Sequence, residues 1–188
     1  LLKSCTRVHH KARELGATVI YDSIGVGAGC GAKFNELNQT NKCSVKHAKF
    51  NAGAAVVKPE ALYERAAGIK NKDFFTNLKS QSWWCVADRF RLTYQVVNAI
   101  KNGETPPPYQ LDELISISSK CPNLEKLKME LSIPMRDFDN NGRVKVESKK
   151  DLAKRDIKSP NIADSFIMAY APINSGLNIR PDALKGLF

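Results

Sequence analysis

The order of elements in the first fifty residues constrains the fold more than any other feature of the sequence. Apolar side chains recur at helical spacing through residues 2–15, and Gly16 ends the run. Residues 17–22 are apolar and rich in β-branched side chains, which is typical of a buried strand. Glycines at alternate positions from 25 to 31, a short helix and a weakly alternating strand at residues 44–50 follow. This order of helix, strand, glycine loop, helix and strand predicts an α/β domain.

A long helix is predicted next, from a cap at Asp73 to about Lys101. Its core side is expected to consist of apolar residues at helical spacing, namely Phe74, Leu78, Ala87, Phe90, Tyr94 and Val97. We interpret Trp83 and Trp84, which add bulk to this helix, as core residues rather than as a platform on which nucleic-acid bases stack.

The last third of the chain is predicted to hold shorter elements: a helix at residues 122–131, a β-hairpin at 135–147 and a basic helix at 148–155. Asn141 and Gly142 suit the tight turn of the hairpin, because such turns require positive φ. Ser148 can cap the basic helix, and Pro160 suits the first turn of a last helix. We expect one domain over residues 1–172 and a loosely attached tail over residues 173–188.

The charge and the apolar pattern limit the class of protein. The net charge of +10 favours a polyanionic partner such as nucleic acid or an acidic membrane surface, although a solvated basic surface is the alternative. No apolar stretch is long enough to cross a bilayer or to act as a signal peptide, so no membrane partner is expected. The five cysteines contain no C-x-x-C pair, which favours reduced thiols in a cytosolic compartment. The chain begins with Leu-Leu-Lys and not with Met, so we expect it to be part of a longer protein.

The glycine loop is a candidate nucleotide-binding site. Residues 27–32 fit the pattern G-x-G-x-x-A of dinucleotide sites, and a short helix is expected to begin at Ala32. Against this, Asp22 and the two residues after it separate the strand from the glycines, and no acidic residue stands at the expected distance on the next strand. Nucleotide binding stays the less favoured alternative, and we expect no cofactor-binding residues here.

Residues 137–148 resemble a calcium-binding EF-hand loop, but their spacing departs from that of such a loop and favours a hairpin.

Two acidic residues are candidates for catalysis and metal binding. Asp22 ends a buried strand, where α/β folds place their chemistry, and Asp164 lies among apolar residues of the last helix. A carboxylate in apolar surroundings is costly unless it is paired or bound to a cation. Oxygen ligands suit Mg²⁺ or Mn²⁺ rather than zinc. An N-cap or a salt bridge for each residue is the alternative.

A lysine-rich segment leads directly into Asp164. It contains Lys145, Lys149, Lys150, Lys154, Arg155 and Lys158. Cations beside a carboxylate site suit a phosphodiester substrate, because they can hold the backbone while a metal ion acts on the reacting phosphate. We therefore predict DNA binding by Lys145, Lys149, Lys150 and Lys154. The three histidines have no ligand spacing and are interpreted as surface or structural residues.

Six segments, taken in order, resemble the nuclease domain of tailed-phage terminase large subunits. They are VIYDSIGVGAG at residues 19–29, FFTNLKSQSWW at 74–84, DRF at 88–90, DELI at 112–115, NGRVKVESKKD at 141–151 and SPNIAD at 159–164. The likeness runs from about residue 8 to residue 172.

The resemblance implies an RNase H-like (retroviral-integrase-like) α/β nuclease fold that cuts concatemeric viral DNA. In this family three acids hold two Mg²⁺ or Mn²⁺ ions, and the matching positions here are Asp22 and Asp164. The third acid lies on a first strand that this chain, which starts at the following helix, is expected to lack. The implied partners are double-stranded DNA, an amino-terminal ATPase domain, the small terminase subunit and the portal, in the cytoplasm of a bacterial host. A DNA-binding module without catalysis and a resolvase- or transposase-like relative are the remaining alternatives.

Overall fold

The computed structural model describes residues 1–173, except for the side chain of Val26. The predicted tail at residues 173–188 lies, apart from Ile173, outside the described residues. Residues 1–52 and 53–172 form two compact units. No helix in the described part is long and apolar enough to cross a membrane.

The first unit is a small α/β layer structure. Its elements are α1 (Leu2–Leu15), β1 (Val19–Asp22), a 3₁₀ helix (Gly25–Gly29), α2 (Cys30–Thr40) and β2 (His47–Phe50). The two strands pair in parallel, with Val19 opposite His47 and Asp22 opposite Phe50. The core between helices and strands consists of Cys5, Ala12, Val19, Tyr21, Cys30, Phe34, Leu37 and Val45. The predicted element order of this unit is therefore confirmed.

Two details of the first unit differ from the prediction. The glycines do not form an irregular loop: residues 25–29 make a 3₁₀ helix and α2 begins at Cys30 rather than at Ala32. On α1 the apolar residues at helical spacing are only partly buried: Leu2 is 61% exposed, and the polar residue His9 is buried instead. The His9 Nε2 atom lies 2.9 Å from Asn38 Oδ1, which identifies His9 as a structural histidine.

The second unit is mostly helical, with one hairpin. Its elements are α3 (Asn71–Phe74), α4 (Leu78–Lys101), a 3₁₀ turn (Leu111–Glu113), α5 (Leu124–Ser132), β3 (Arg136–Phe138), β4 (Val144–Val146), α6 (Lys149–Lys154) and α7 (Asn161–Ala169). The strands β3 and β4 are antiparallel, and Gly142 in their turn has φ 75°, as predicted. Asn141 does not have the positive φ that was predicted for it. Ser148 caps α6 by accepting a hydrogen bond from the Asp151 N–H, which confirms the predicted cap.

The prediction of one helix from Asp73 to Lys101 is wrong. After the single turn of α3 the backbone extends at Phe75, which forms a bridge with Val144 of β4. Phe75 is fully buried, so burial and strand pairing interrupt the helix there. The cap of α4 is Asn77, whose side chain accepts a hydrogen bond from the Ser80 N–H at 3.0 Å.

The predicted core stripe of α4 is correct for Leu78 and wrong further along the helix. Ala87, Phe90, Tyr94 and Val97 are exposed, Tyr94 to 68%. A core of this unit lies instead between the first half of α4 and α7. It consists of Trp83, Val86, Ile115, Ala163 and Ile167, with Trp84 packed against it. The interpretation of Trp83 as a core residue is confirmed.

Candidate metal and DNA-binding residues

Asp22 is the last residue of β1, and its exposed carboxylate begins a tight turn. Its Oδ1 atom accepts a hydrogen bond from the Ile24 N–H at 3.0 Å. The chain then folds back so closely that a Cβ atom at Gly27 would lie 1.8 Å from the carbonyl oxygen of Asp22. The position of the Asp22 backbone therefore depends on the absence of a side chain at residue 27.

The G27A variant is expected to lose about 2–4 kcal/mol of unfolding free energy, because the new methyl group clashes with backbone that cannot turn away. G29A is the matched control, since a Cβ atom there would meet only Leu1 Cδ2, at 3.6 Å, and its change should stay within about 0.5 kcal/mol. Chemical denaturation of both variants measures the difference. Equal stabilities would contradict this account of the turn.

The close approach at Gly27 also explains part of the glycine pattern without a ligand. A Cβ atom at Gly31 would lie 2.3 Å from the hydroxyl oxygen of Tyr21 on β1. Two of the glycines that suggested a dinucleotide site thus leave room for atoms of the chain itself.

Asp164 lies in the first turn of α7, and the N–H groups of this turn are bound by a side chain of another helix. Pro160 supplies no side-chain cap. Instead the buried carboxylate of Glu130 on α5 accepts hydrogen bonds from the Ile162 N–H at 2.7 Å and the Ala163 N–H at 3.0 Å. Because these N–H groups directly precede Asp164, Glu130 fixes the helical turn that presents the Asp164 carboxylate.

The Asp164 side chain is about a quarter exposed and pairs with a lysine. Its Oδ2 atom lies 3.1 Å from the Lys149 Nζ atom at the start of α6. Of the predicted DNA-binding lysines, Lys149 is thus brought to the predicted acid.

Other members of the lysine-rich segment also have acidic partners. The ion pairs are Lys145 with Asp137 at 2.9 Å, Lys154 with Asp151 at 2.7 Å and Arg155 with Glu147 at 2.6 Å. Lys150 is exposed and forms no ion pair with any described residue. The segment is therefore less positive as a surface than the sequence alone indicates. The exposed pairs of Lys145 and Lys154 are weak and leave each lysine able to turn to another anion, whereas Arg155 pairs with the buried carboxylate of Glu147.

Lys79, in the first turn of α4, also belongs to this neighbourhood and was missed by the sequence interpretation. Burial lowers the pKa of its ammonium group, while the charge of Asp164 raises that pKa and the charge of Lys149 lowers it. The available signal was its spacing, since Lys79 precedes the buried residues Trp83 and Val86 by four and seven positions and so shares their helix face.

The two predicted acids suit a hard divalent cation in their chemistry, since both offer carboxylate oxygens. Each carboxylate has one oxygen in a contact already described, Oδ1 of Asp22 and Oδ2 of Asp164, and its second oxygen has no hydrogen bond or ion pair with the described residues. Within residues 1–173, no three His, Cys, Asp or Glu side chains are grouped so that they could hold a metal ion.

Comparison with solved structures finds similar proteins. The nuclease domain of the large terminase subunit gp2 of bacterial virus Sf6 is 31% identical, with a TM-score of 0.73, over 88% of this chain and 70% of that chain. A lysine-to-alanine mutant of that domain with manganese is 29% identical, with a TM-score of 0.72, over 88% and 71% of the two chains. The same mutant with manganese and beta-thujaplicinol is 29% identical, with a TM-score of 0.74, over 90% and 71%. No protein-family model and no curated protein matches the chain.

Proposed function

The chain belongs to the nuclease domains of phage large terminase subunits, and from this we propose that it is a metal-dependent DNA endonuclease that cuts concatemeric viral DNA during genome packaging. The observation that carries the proposal is the 31% identity and TM-score of 0.73 with a solved nuclease domain of such a subunit. The mixed α/β architecture with small sheets agrees with that match.

The proposal extends to the fold and the extent of the domain. It assigns residues 1–172 to an RNase H-like nuclease domain. The parallel pair β1 and β2, with a carboxylate at the end of β1, supports the fold assignment, because α/β proteins place their chemistry at the carboxyl ends of such strands.

We propose that Asp22 and Asp164 hold two Mg²⁺ or Mn²⁺ ions and are the catalytic acids. When bound, such ions neutralise charge at the reacting phosphate and activate the attacking water. The chain's own part is to hold the carboxylates in place. The turn at Gly27 fixes the end of β1, and Glu130 fixes the first turn of α7. Manganese and calcium in structures of the related domain support the choice of a divalent ion.

The DNA backbone is proposed to lie along Lys145, Lys149, Lys150 and Lys154. Lys150 is exposed without an ion-pair partner among the described residues, so its ammonium group is available to a phosphate. Lys145 and Lys154 need only exchange an exposed acidic partner for a phosphate, which costs little. Lys149 would exchange the Asp164 carboxylate, which is about a quarter exposed, for a phosphate beside it.

The proposed setting is that of a packaging terminase in the cytoplasm of a bacterial host. Double-stranded DNA is the substrate, and the partners are an amino-terminal ATPase domain, the small terminase subunit and the portal. The family membership supports this setting.

Plasmid cleavage tests the function. The natural polypeptide that contains residues 1–188 is expected to nick and linearise supercoiled plasmid with Mn²⁺ and to stop when EDTA is added, because the carboxylates need the cation to act on the phosphate. Equal cleavage with and without EDTA would contradict the metal requirement. Plasmid that stays uncut but migrates more slowly, with Mn²⁺ as well as with EDTA, would favour the DNA-binding module without catalysis instead.

A further inference from the structure

Lys79 occupies a costly place for a cation. It is half-buried in the first turn of α4, where the exposed N–H groups of a helix already carry partial positive charge. Within residues 1–173 its ammonium group has no hydrogen bond and no carboxylate within ion-pair distance. A half-buried ammonium group loses part of its hydration, and here nothing among the described residues replaces it.

The position of Lys79 on α4 turns it toward α7. Trp83 and Val86, on the same face, pack with Ala163 and Ile167 of α7. Ala163 directly precedes Asp164, and the electrostatic interaction of Lys79 with Asp164 agrees with this placement.

The three charged groups in this neighbourhood do not balance. The Asp164 carboxylate is already paired with Lys149 at 3.1 Å, so Lys79 adds a second positive charge to one negative charge. The surplus is unfavourable in the free protein and becomes favourable when an anion enters. A phosphodiester group supplies that anion, because it carries one negative charge and accepts hydrogen bonds from ammonium groups.

We propose that Lys79 binds a backbone phosphate of the DNA beside Asp164 and is a positioning residue of the nuclease site. The inference deepens the proposed function and rests on it for the identity of the anion. It also gives a reason for a lysine at a position that disfavours its charge, since departures from local stability rules concentrate at functional sites.

The test compares two lysines of the same helix. K79M keeps the length of the side chain and removes its charge. K101M makes the same change at the exposed far end of α4, about 33 Å along the helix axis. Binding of the full chain to a short DNA duplex of random sequence is measured by fluorescence anisotropy over a series of salt concentrations, without divalent metal.

K79M is expected to bind the duplex about tenfold more weakly than the wild type. The slope of the logarithm of its binding constant against the logarithm of the salt concentration should be smaller by about one. K101M should stay within about twofold in affinity with nearly the wild-type slope, and K79R should retain binding because it keeps the charge. The melting temperature of K79M is expected to equal or exceed that of the wild type, which separates a binding role from a structural one.

An unchanged affinity and slope in K79M, a loss of equal size in K101M, or no duplex binding by the wild type would each overturn the proposal. The result also separates this inference from the proposed function. If K79M loses duplex affinity as expected but the wild type cuts no plasmid, Lys79 remains a phosphate-binding residue and the nuclease function is rejected.

Discussion

Replacing Asp22 or Asp164 with asparagine is expected to reduce Mn²⁺-dependent plasmid cleavage by at least about a thousandfold while leaving metal-free DNA binding nearly unchanged. The amide has the shape of the carboxylate but lacks its negative charge, so it is a poor ligand for a hard divalent ion. The measurement is the initial rate of supercoiled plasmid loss for each variant, beside duplex affinity in EDTA.

The structure predicts that both variants fold. In D22N the side-chain oxygen can still accept the hydrogen bond of the Ile24 N–H. D164N loses the ion pair with Lys149, but that pair is partly exposed and contributes less than about 1 kcal/mol. D73N is the matched control, since Asp73 is exposed on α3 and does not cap α4, and its cleavage rate should equal that of the wild type.

Undiminished cutting by D22N or by D164N would contradict the role given to that residue. A loss of DNA affinity as large as the loss of cleavage would also contradict the assignment, because it would make the acids binding or folding residues. The loss must therefore appear in the rate and not in the binding.

The sequence predicted best those elements whose signals are local. The first parallel strand follows from a short β-branched run and the second from a weak alternation, and the positive φ of the hairpin turn follows from Gly142, whose φ is 75°. The cap of α6 follows from a serine three residues ahead of the N–H that it binds. Each of these signals involves residues that are close in the chain, so no knowledge of the tertiary structure is needed to interpret it.

The failures have a tertiary cause. The spacing predicts one helix over residues 73–101, but Phe75 is buried in the core and pairs with β4, which is distant in sequence. Further along α4, Phe90, Tyr94 and Val97 meet the spacing rule for a buried stripe and are nevertheless exposed. Spacing predicts which residues share a face but does not identify the neighbour that covers it.

The candidate site divides in the same way. Asp22 was predicted from its position after a strand, and Asp164 from a carboxylate among apolar residues. The contacts of Glu130 and the proposed role of Lys79 were not predicted, because both depend on α7, which lies far from these residues in the sequence. Glu130 did leave one signal: it stands three residues after the buried Leu127, so it lies on the apolar face of α5 and needs a partner there.

The E130A variant is expected to lose about 2–4 kcal/mol of unfolding free energy and about 5–12 °C of melting temperature. Glu130 is 7% exposed, and its removal leaves the Ile162 and Ala163 N–H groups without their acceptor. No side chain at Pro160 can replace it. The first turn of α7, which carries Asp164, should therefore fray. Cleavage should fall as well when it is measured at a temperature where the variant remains folded.

Two further variants distinguish the hydrogen bonds of Glu130 from its negative charge and from a general effect of substitutions on α5. E130Q keeps an oxygen that accepts both hydrogen bonds and should lose only about 1 kcal/mol, because the favourable interaction of a negative charge with the helix N-terminus is removed. E125A removes an exposed glutamate of the same helix, whose partner is Lys128, and should change stability by less than about 0.5 kcal/mol. If E130A melts at the wild-type temperature, or if E125A loses as much stability, Glu130 does not hold α7. If E130A is destabilised but cuts at the wild-type rate, the first turn of α7 does not set the position of Asp164, and the carboxylate must be held from its Lys149 side instead.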